Sequence, residues 1–204
     1  MYWAIYGAVF FATLAMMVRE GLWSNTITLI NIIISGIVAF GFFSPLAVYF
    51  DEMTDGQYTY LMDFLVIWAL YVVTMLVCQS ITRAASKTRM RFKHPIDPVG
   101  GPAVALIAAW VMGSFVMATL HASPMPKDAF GGKLALSDSD VDTASSIGSP
   151  DLAWLRFMEQ MSAPDALGSG GTGKFTARGY VKIYGLHREQ LDAAKLPWIR
   201  ARRG

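Results

Sequence analysis

The sequence predicts an all-α membrane protein: four transmembrane helices followed by a small polar C-terminal region with a short amphipathic helix. Three observations predict it. Only 16% of the 204 residues are charged and 54% are hydrophobic, whereas soluble domains hold about 25% charged and about 45–50% apolar residues. Stretches 1–18, 21–50, 64–82 and 98–126 contain no Asp, Glu, Lys or Arg, and each reaches the roughly 18 residues that mark a membrane-crossing helix. After Leu120 the composition turns to Gly, Ser, Asp and Pro with no further spanning run. Intrinsic disorder, a disulfide framework and a soluble single-core enzyme all fit such a chain poorly.

The first helix is expected over about 2–18. It is retained rather than cleaved, because a secretory signal carries its positive charge ahead of the apolar core and here Arg19 and Glu20 follow it. The second begins near Leu22, with a kink or an end expected at Pro45, which lacks a backbone donor and disfavours helix at Ser44. The third runs over about 58–82, with Asp63 near its start at headgroup level, clear of the cost of a charge at a helix centre. The fourth follows Gly100-Gly101-Pro102, with proline tolerated at a first helical position, and continues to about Leu120.

Charge placement orients these helices. Loop 83–94 holds Arg83, Lys87, Arg89, Arg91 and Lys93 with no acid, while the loop after the second helix holds Asp51, Glu52 and Asp55 with no base. The positive-inside rule puts the basic loop in the cytoplasm. Four crossings then leave both termini on the non-cytoplasmic side of a multi-pass membrane protein.

The organisation expected is a transmembrane domain over 1–120, a linker over 121–149 and an extramembrane region over 150–204. Ser149-Pro150-Asp151 opens a helix, with proline in its first turn and an acid near the positive end of the dipole. Leu152, Leu155, Met158 and Met161 share one face of it, and it ends before Pro164. Such a helix docks on a partner, on the membrane interface or on its own protein. Residues 175–184 look strand-like, and 187–196 a terminal helix stopped by Pro197.

Few motifs carry chemistry. Gly168-Ser-Gly-Gly-Thr-Gly173-Lys174 has the spacing of a phosphate-cradling loop, but Phe175 stands where Ser or Thr should reach a metal ion, so it reads as a glycine linker. His94, His121 and His187 lie in three separate segments and make no recognisable metal motif. Cys78, the one cysteine, is expected as a buried, inert thiol. The basic loop is a topology determinant, and a net charge of +2 gives no reason to expect nucleic acid. No catalytic residue, cofactor or metal site is assigned.

Within the helices, Asn31 is expected to seek an interhelical partner, since an unpaired amide in hydrocarbon is costly. Ala105, Ala109 and Gly113 form a small-residue row on the fourth helix, with Ser114 and Ala118 beside it. Such a row lets helix backbones approach, within one chain or between chains.

Two segments bring a family into view. Val18-Arg19-Glu20-Gly21-Leu22 closes the first helix, and Asp97-Pro-Val-Gly100-Gly101 leads into the fourth. With the four-helix hydropathy pattern over about 1–120, they resemble the colicin V production proteins of the bacterial inner membrane. The resemblance implies an integral inner-membrane protein linked to export and envelope physiology, and carries over Arg19, Glu20, Asp97, Gly100 and Gly101. A salt bridge from Arg19 to Asp97 is the expected link between the first hairpin and the fourth helix. The function expected is a scaffold or accessory subunit without catalysis, with an oligomeric transport or channel component as the alternative. Its expected partners are the lipid bilayer and other membrane proteins, or a second copy through the fourth helix.

Overall fold

The computed structural model describes residues 1–56, 58–85, 96–126, 128–134, 136, 138–145, 148–163, 166 and 175–194. Among these there is no strand. The helices are α1 (Tyr2–Met17), α2 (Leu22–Met53), α3 (Thr59–Ala85), α4 (Ile96–Thr119), α5 (Asp138–Thr143), α6 (Pro150–Met161) and α7 (Ala177–Ala194). Most of the basic loop and the whole glycine motif at 168–174 lie outside the described residues, as does His94.

Three helices, α2, α3 and α4, are long and apolar enough to cross a membrane, and α1, with 16 residues, falls below that length. The four expected spans are therefore three that meet the criterion and one shorter apolar helix. α1 nevertheless runs antiparallel to α4 over most of its length. Tyr2 packs with Met117 and Leu120, Tyr6 lies against Gly113, and Met17 joins Ala105 and Ala108.

Small side chains put α4 at the centre. Ala105, Ala108, Ala109, Gly113, Ser114 and Ala118 are all buried, and α1, α2 and α6 pack around them. Most of the apolar length of α4 is buried, whereas most of that of α3 is not. The small-residue row is thus an intrachain seam, while Leu106, Ile107 and Trp110 face outward. On α3 the outward face is larger, with Leu65, Val72, Val73, Leu76, Val77 and Ile81 exposed. Cys78 is half-buried on α3 rather than buried.

Two helix boundaries differ from expectation through proline. α2 continues through Pro45 to Met53, because the residues beyond it, Leu46 and Ala47, are held in the core. α4 starts at Ile96, which places Asp97 in its first turn and Pro102 inside the helix.

The C-terminal region departs further. Residues 121–149, expected as a linker, contain α5 and anchors such as Leu134 and Val141, 1% and 5% exposed. Residues 175–184, expected as strand-like, enter α7 instead. Ala177, Tyr180, Val181, Tyr184, Arg188 and Leu191 are buried at helical spacing. α6 occupies 150–161, yet every residue from Pro150 to Leu155 is buried, so its first half is enclosed and not one-sided.

α5, α6 and α7 share one apolar cluster with α2, α3 and α4, and Phe115 is its hub. The ring of Phe115 stacks on Tyr71 at 4.4 Å and meets Trp154 edge-on at 5.4 Å and Phe40 at 5.8 Å. Trp154 reaches this position because Gly36 on α2 has no side chain, and a Cβ there would collide with the indole. α6 and α7 therefore form a cap built onto the bundle, at the end where α1 begins and opposite Arg83.

Candidate functional site

Two polar constellations stand out, one at each end of the bundle. The first is a hinge between the α1–α2 turn and the start of α4. The backbone N–H of Leu22 donates to Asp97 Oδ1 at 2.8 Å, satisfying a donor that the first turn of α2 leaves without an intrahelical partner. Close approach requires glycine here. A Cβ on Gly101 would stand 3.0 Å from the Glu20 carbonyl oxygen, and one on Gly21 3.2 Å from Asp97 Oδ1. Gly100 meets the side chain of Leu22 in the same way.

Asn25, 1% exposed, fastens the three pieces together. Its Nδ2 donates to Gly101 O at 2.8 Å and Met17 O at 3.0 Å, with a longer approach of 3.4 Å to Glu20 O. One amide thus satisfies the end of α1, the turn and the first turns of α4. Asp97 serves as a helix cap and not as an ion-pair partner. Among the described residues no bridge joins Arg19 to Asp97, and Arg19 and Glu20 lie exposed at the rim. The expected salt bridge is replaced because a backbone N–H beside the carboxylate is already fixed, whereas pairing a surface arginine would cost side-chain entropy.

The second constellation is a buried latch between bundle and cap. Asp151, 2% exposed in the first turn of α6, accepts from Tyr2 Oη at 2.7 Å through Oδ1 and meets His121 Nε2 at 2.8 Å through Oδ2. The other ring nitrogen of His121 faces Arg188 Nη2 at 3.4 Å, a group that only donates, so the imidazole proton belongs on Nε2 toward the carboxylate. Arg188 also donates to the carbonyls of His121 at 3.0 Å and Leu134 at 2.7 Å. An imidazole thus separates a carboxylate from a guanidinium, and both charges have partners.

Burial alone would push the Asp151 carboxyl up. Interaction with His121, followed by hydrogen bonds from Tyr2 and the Leu152 amide, outweighs it and holds the group below its usual value. Burial lowers the Arg188 guanidinium from its ordinary value, opposed by the nearby Tyr180. Tyr180 itself, buried and with no partner for its hydroxyl among the described residues, is pushed well above the ordinary phenol range by burial and by Asp63.

The groups of this cluster are paired with one another. Both ring nitrogens and both carboxylate oxygens face groups of the chain itself, and the neighbouring Ser123 hydroxyl donates to Leu120 O at 2.6 Å. Among the described residues no group of three or more His, Cys, Asp or Glu is placed to hold a metal ion. His187 lies apart from His121 and packs edge-on against Tyr60 and Tyr184.

The family model described as colicin V production protein matches residues 3–141. The chain belongs to that family. The match contains the hinge and all three spanning helices and stops before α6 and α7, so in the latch it includes His121 but not Tyr2, Asp151 or Arg188. No curated protein and no solved structure matches the chain.

Sequence reasoning singled out Arg19, Glu20, Asp97, Gly100 and Gly101, and the structure brings these to one end. Gly113 lies further along α4, where its missing side chain admits the ring of Tyr6. Asn31, 3% exposed, donates to Thr82 Oγ1 on α3 at 3.3 Å. Asn25 escaped notice although an amide one turn into a helix, just after a turn, is placed to reach carbonyls across it. Tyr2, Asp151 and Arg188 carried no local signal of their pairing.

Proposed function

We propose that this member of the colicin V production family is an inner-membrane scaffold or accessory protein for export or envelope machinery, without catalysis. The observation that carries the reading is the cap. It is fixed to the bundle by a buried, internally paired latch, and its last helix turns Ile183 and Leu186, 53% and 50% exposed, away from the core. A rigid mount with a free apolar patch suits a protein that holds something else in place.

α1 makes the fourth crossing in this reading. Its length of about 24 Å falls somewhat short of the roughly 30 Å hydrocarbon layer, a mismatch that local thinning absorbs. The basic loop then lies in the cytoplasm, and the cap and both termini on the far side. A reporter active only in the cytoplasm should stay silent when fused after Gly204, and activity there overturns the topology.

The partners are the bilayer and other membrane proteins. A second copy would meet α4 through Leu106, Ile107 and Trp110, since its small-residue row is covered. Affinity isolation of the full chain from detergent-solubilised membranes should yield a defined set of proteins that is lost from the Ile183→Ser, Leu186→Ser double variant. An unchanged set removes the patch from the scaffold reading.

An oligomeric transport component is the second reading. It is favoured by Ser24, Thr28, Asn31 and Ser35, a polar stripe along α2. Ion or dye flux through liposomes containing the purified protein supports it, and intact liposomes count against it.

A further inference from the structure

At the end of the bundle that carries the hinge, α2 and α3 part to form a cleft of about 250 Å³. Its walls are unusual for a membrane helix pair. Among the described residues, Ser24, Thr28 and Asn31 line it from α2 beside Trp23 and Ile27, Gln79 and Thr82 line it from α3, and the charged members are Glu20 and Arg83. Asn31 lies ten residues beyond Gly21, about 15 Å along the helix axis, so the polar lining extends below the depth of a lipid headgroup.

Such a lining is expensive in hydrocarbon unless its groups pair with one another or with something polar in the cleft. Thr28 bonds back to Ser24 O, Thr82 to Cys78 O, and Asn31 donates to Thr82. These bonds use the hydroxyl donors of Thr28 and Thr82 and leave their oxygens as acceptors along the walls. Arg83 touches Gln79 at 3.3 Å, and both Arg83 and Glu20 are exposed. Among the described residues the two charges do not pair with each other.

We propose that this cleft is a headgroup site for a zwitterionic aminophospholipid, a phosphate diester bearing a primary ammonium. Arg83 takes the phosphate, offering a planar set of donors to its oxygens. Glu20 takes the ammonium, and the polar walls below receive the glycerol ester region. The ligand is a lipid and not a free solute, because the cleft lies between two helices whose outer faces are apolar and at the end that meets the bilayer surface. An anionic headgroup without an ammonium leaves Glu20 facing like charge, and a quaternary ammonium has no N–H to give it. The site thus selects phosphatidylethanolamine over phosphatidylglycerol and phosphatidylcholine. The inference is independent of the scaffold reading, which concerns the opposite end of the molecule.

Native mass spectrometry of the full chain in detergent, titrated with each of the three lipids, tests it. Wild type should retain phosphatidylethanolamine about fivefold better than either competitor, the scale of one partly exposed ion pair. Glu20→Gln should abolish that preference while still binding lipid, and Arg83→Gln should weaken retention of all three. Both positions are exposed, so unchanged thermal unfolding separates lost binding from lost folding. Equal retention of the three lipids by wild type overturns the proposal. So does an unaltered preference in Glu20→Gln. Displacement of the lipid by an equal concentration of glycerophosphoethanolamine overturns the assignment to a lipid.

Discussion

The two ends of this bundle solve one problem, joining helices distant in sequence, by opposite means. At the hinge, short side chains reach backbone: Asp97 to the Leu22 N–H, Asn25 to three carbonyls, with glycines removing the Cβ atoms that would keep the strands of chain apart. At the latch, long and ring-bearing side chains reach one another, and Tyr2 meets Asp151 across 149 positions. The hinge needs closeness and so can be damaged by adding atoms. The latch needs completeness, and it fails when one member is removed.

The largest expected effect therefore falls on the latch. Asp151→Ala leaves the His121 Nε2 group and the Tyr2 hydroxyl buried without their acceptor, at a cost of about 1–3 kcal/mol for each. In detergent the variant should unfold at a markedly lower temperature, with limited proteolysis cutting the cap before the bundle. Asp151→Asn retains the shape and an acceptor and should lose less. If Asp151→Ala melts within a degree or two of wild type, the latch does not hold the cap.

The same carboxylate sets a pH response. Its folded form titrates below the unfolded value, near 3.9. Its contribution is complete above that unfolded value and fades as pH falls through the folded one. The melting temperature of wild type should drop on acidification through this window more steeply than that of Asp151→Asn. Parallel curves would mean that another group carries the acid sensitivity.

Next in size come changes at the hinge. Gly101→Val places a branched side chain against the Glu20 carbonyl and should cost about 1–3 kcal/mol through overpacking. Asn25→Ala removes the amide that joins carbonyls at the end of α1 and on α4, with a cost of about 1–3 kcal/mol. The two residues meet at one carbonyl, so the double variant should lose less than the sum of the singles. Full additivity in the melting temperatures would show that hinge packing and hinge bonding are separate.

What could be read in advance follows this division. The hinge was legible in Arg19-Glu20-Gly21 and in Asp97 before Gly100-Gly101, because glycines and a capping acid are local signals. Only the Arg19 partnership was misassigned, since charge complementarity carries no information about a backbone donor. The latch was not legible, because His121, Asp151 and Arg188 acquire meaning only when α6 and α7 fold back on α4. α7 itself was available from the spacing of Ala177, Tyr180, Val181, Tyr184, Arg188 and Leu191. Residues 175–184 look strand-like because aromatic and β-branched side chains recur there, and packing of Tyr180 against Phe40 and Phe43 overrides that preference. α1, expected over about 2–18, is a helix over Tyr2–Met17, one of the shorter apolar helices beside three of full spanning length.

The smallest expected effects decide whether Asp97 acts as a cap or as a charge. As a cap it needs only an oxygen that accepts from Leu22, and Asn supplies one as well as Asp does. Asp97→Asn should therefore change stability by a few tenths of a kcal/mol, while Asp97→Ala costs about 1 kcal/mol. A charge role reverses the order, making Asn and Ala equally harmful and Arg19→Gln as harmful as either. With Arg19 exposed and no bridge to Asp97, Arg19→Gln should instead fall within about 0.5 kcal/mol of wild type. Melting the three variants side by side in one detergent separates the alternatives, because they differ in rank order and not merely in size.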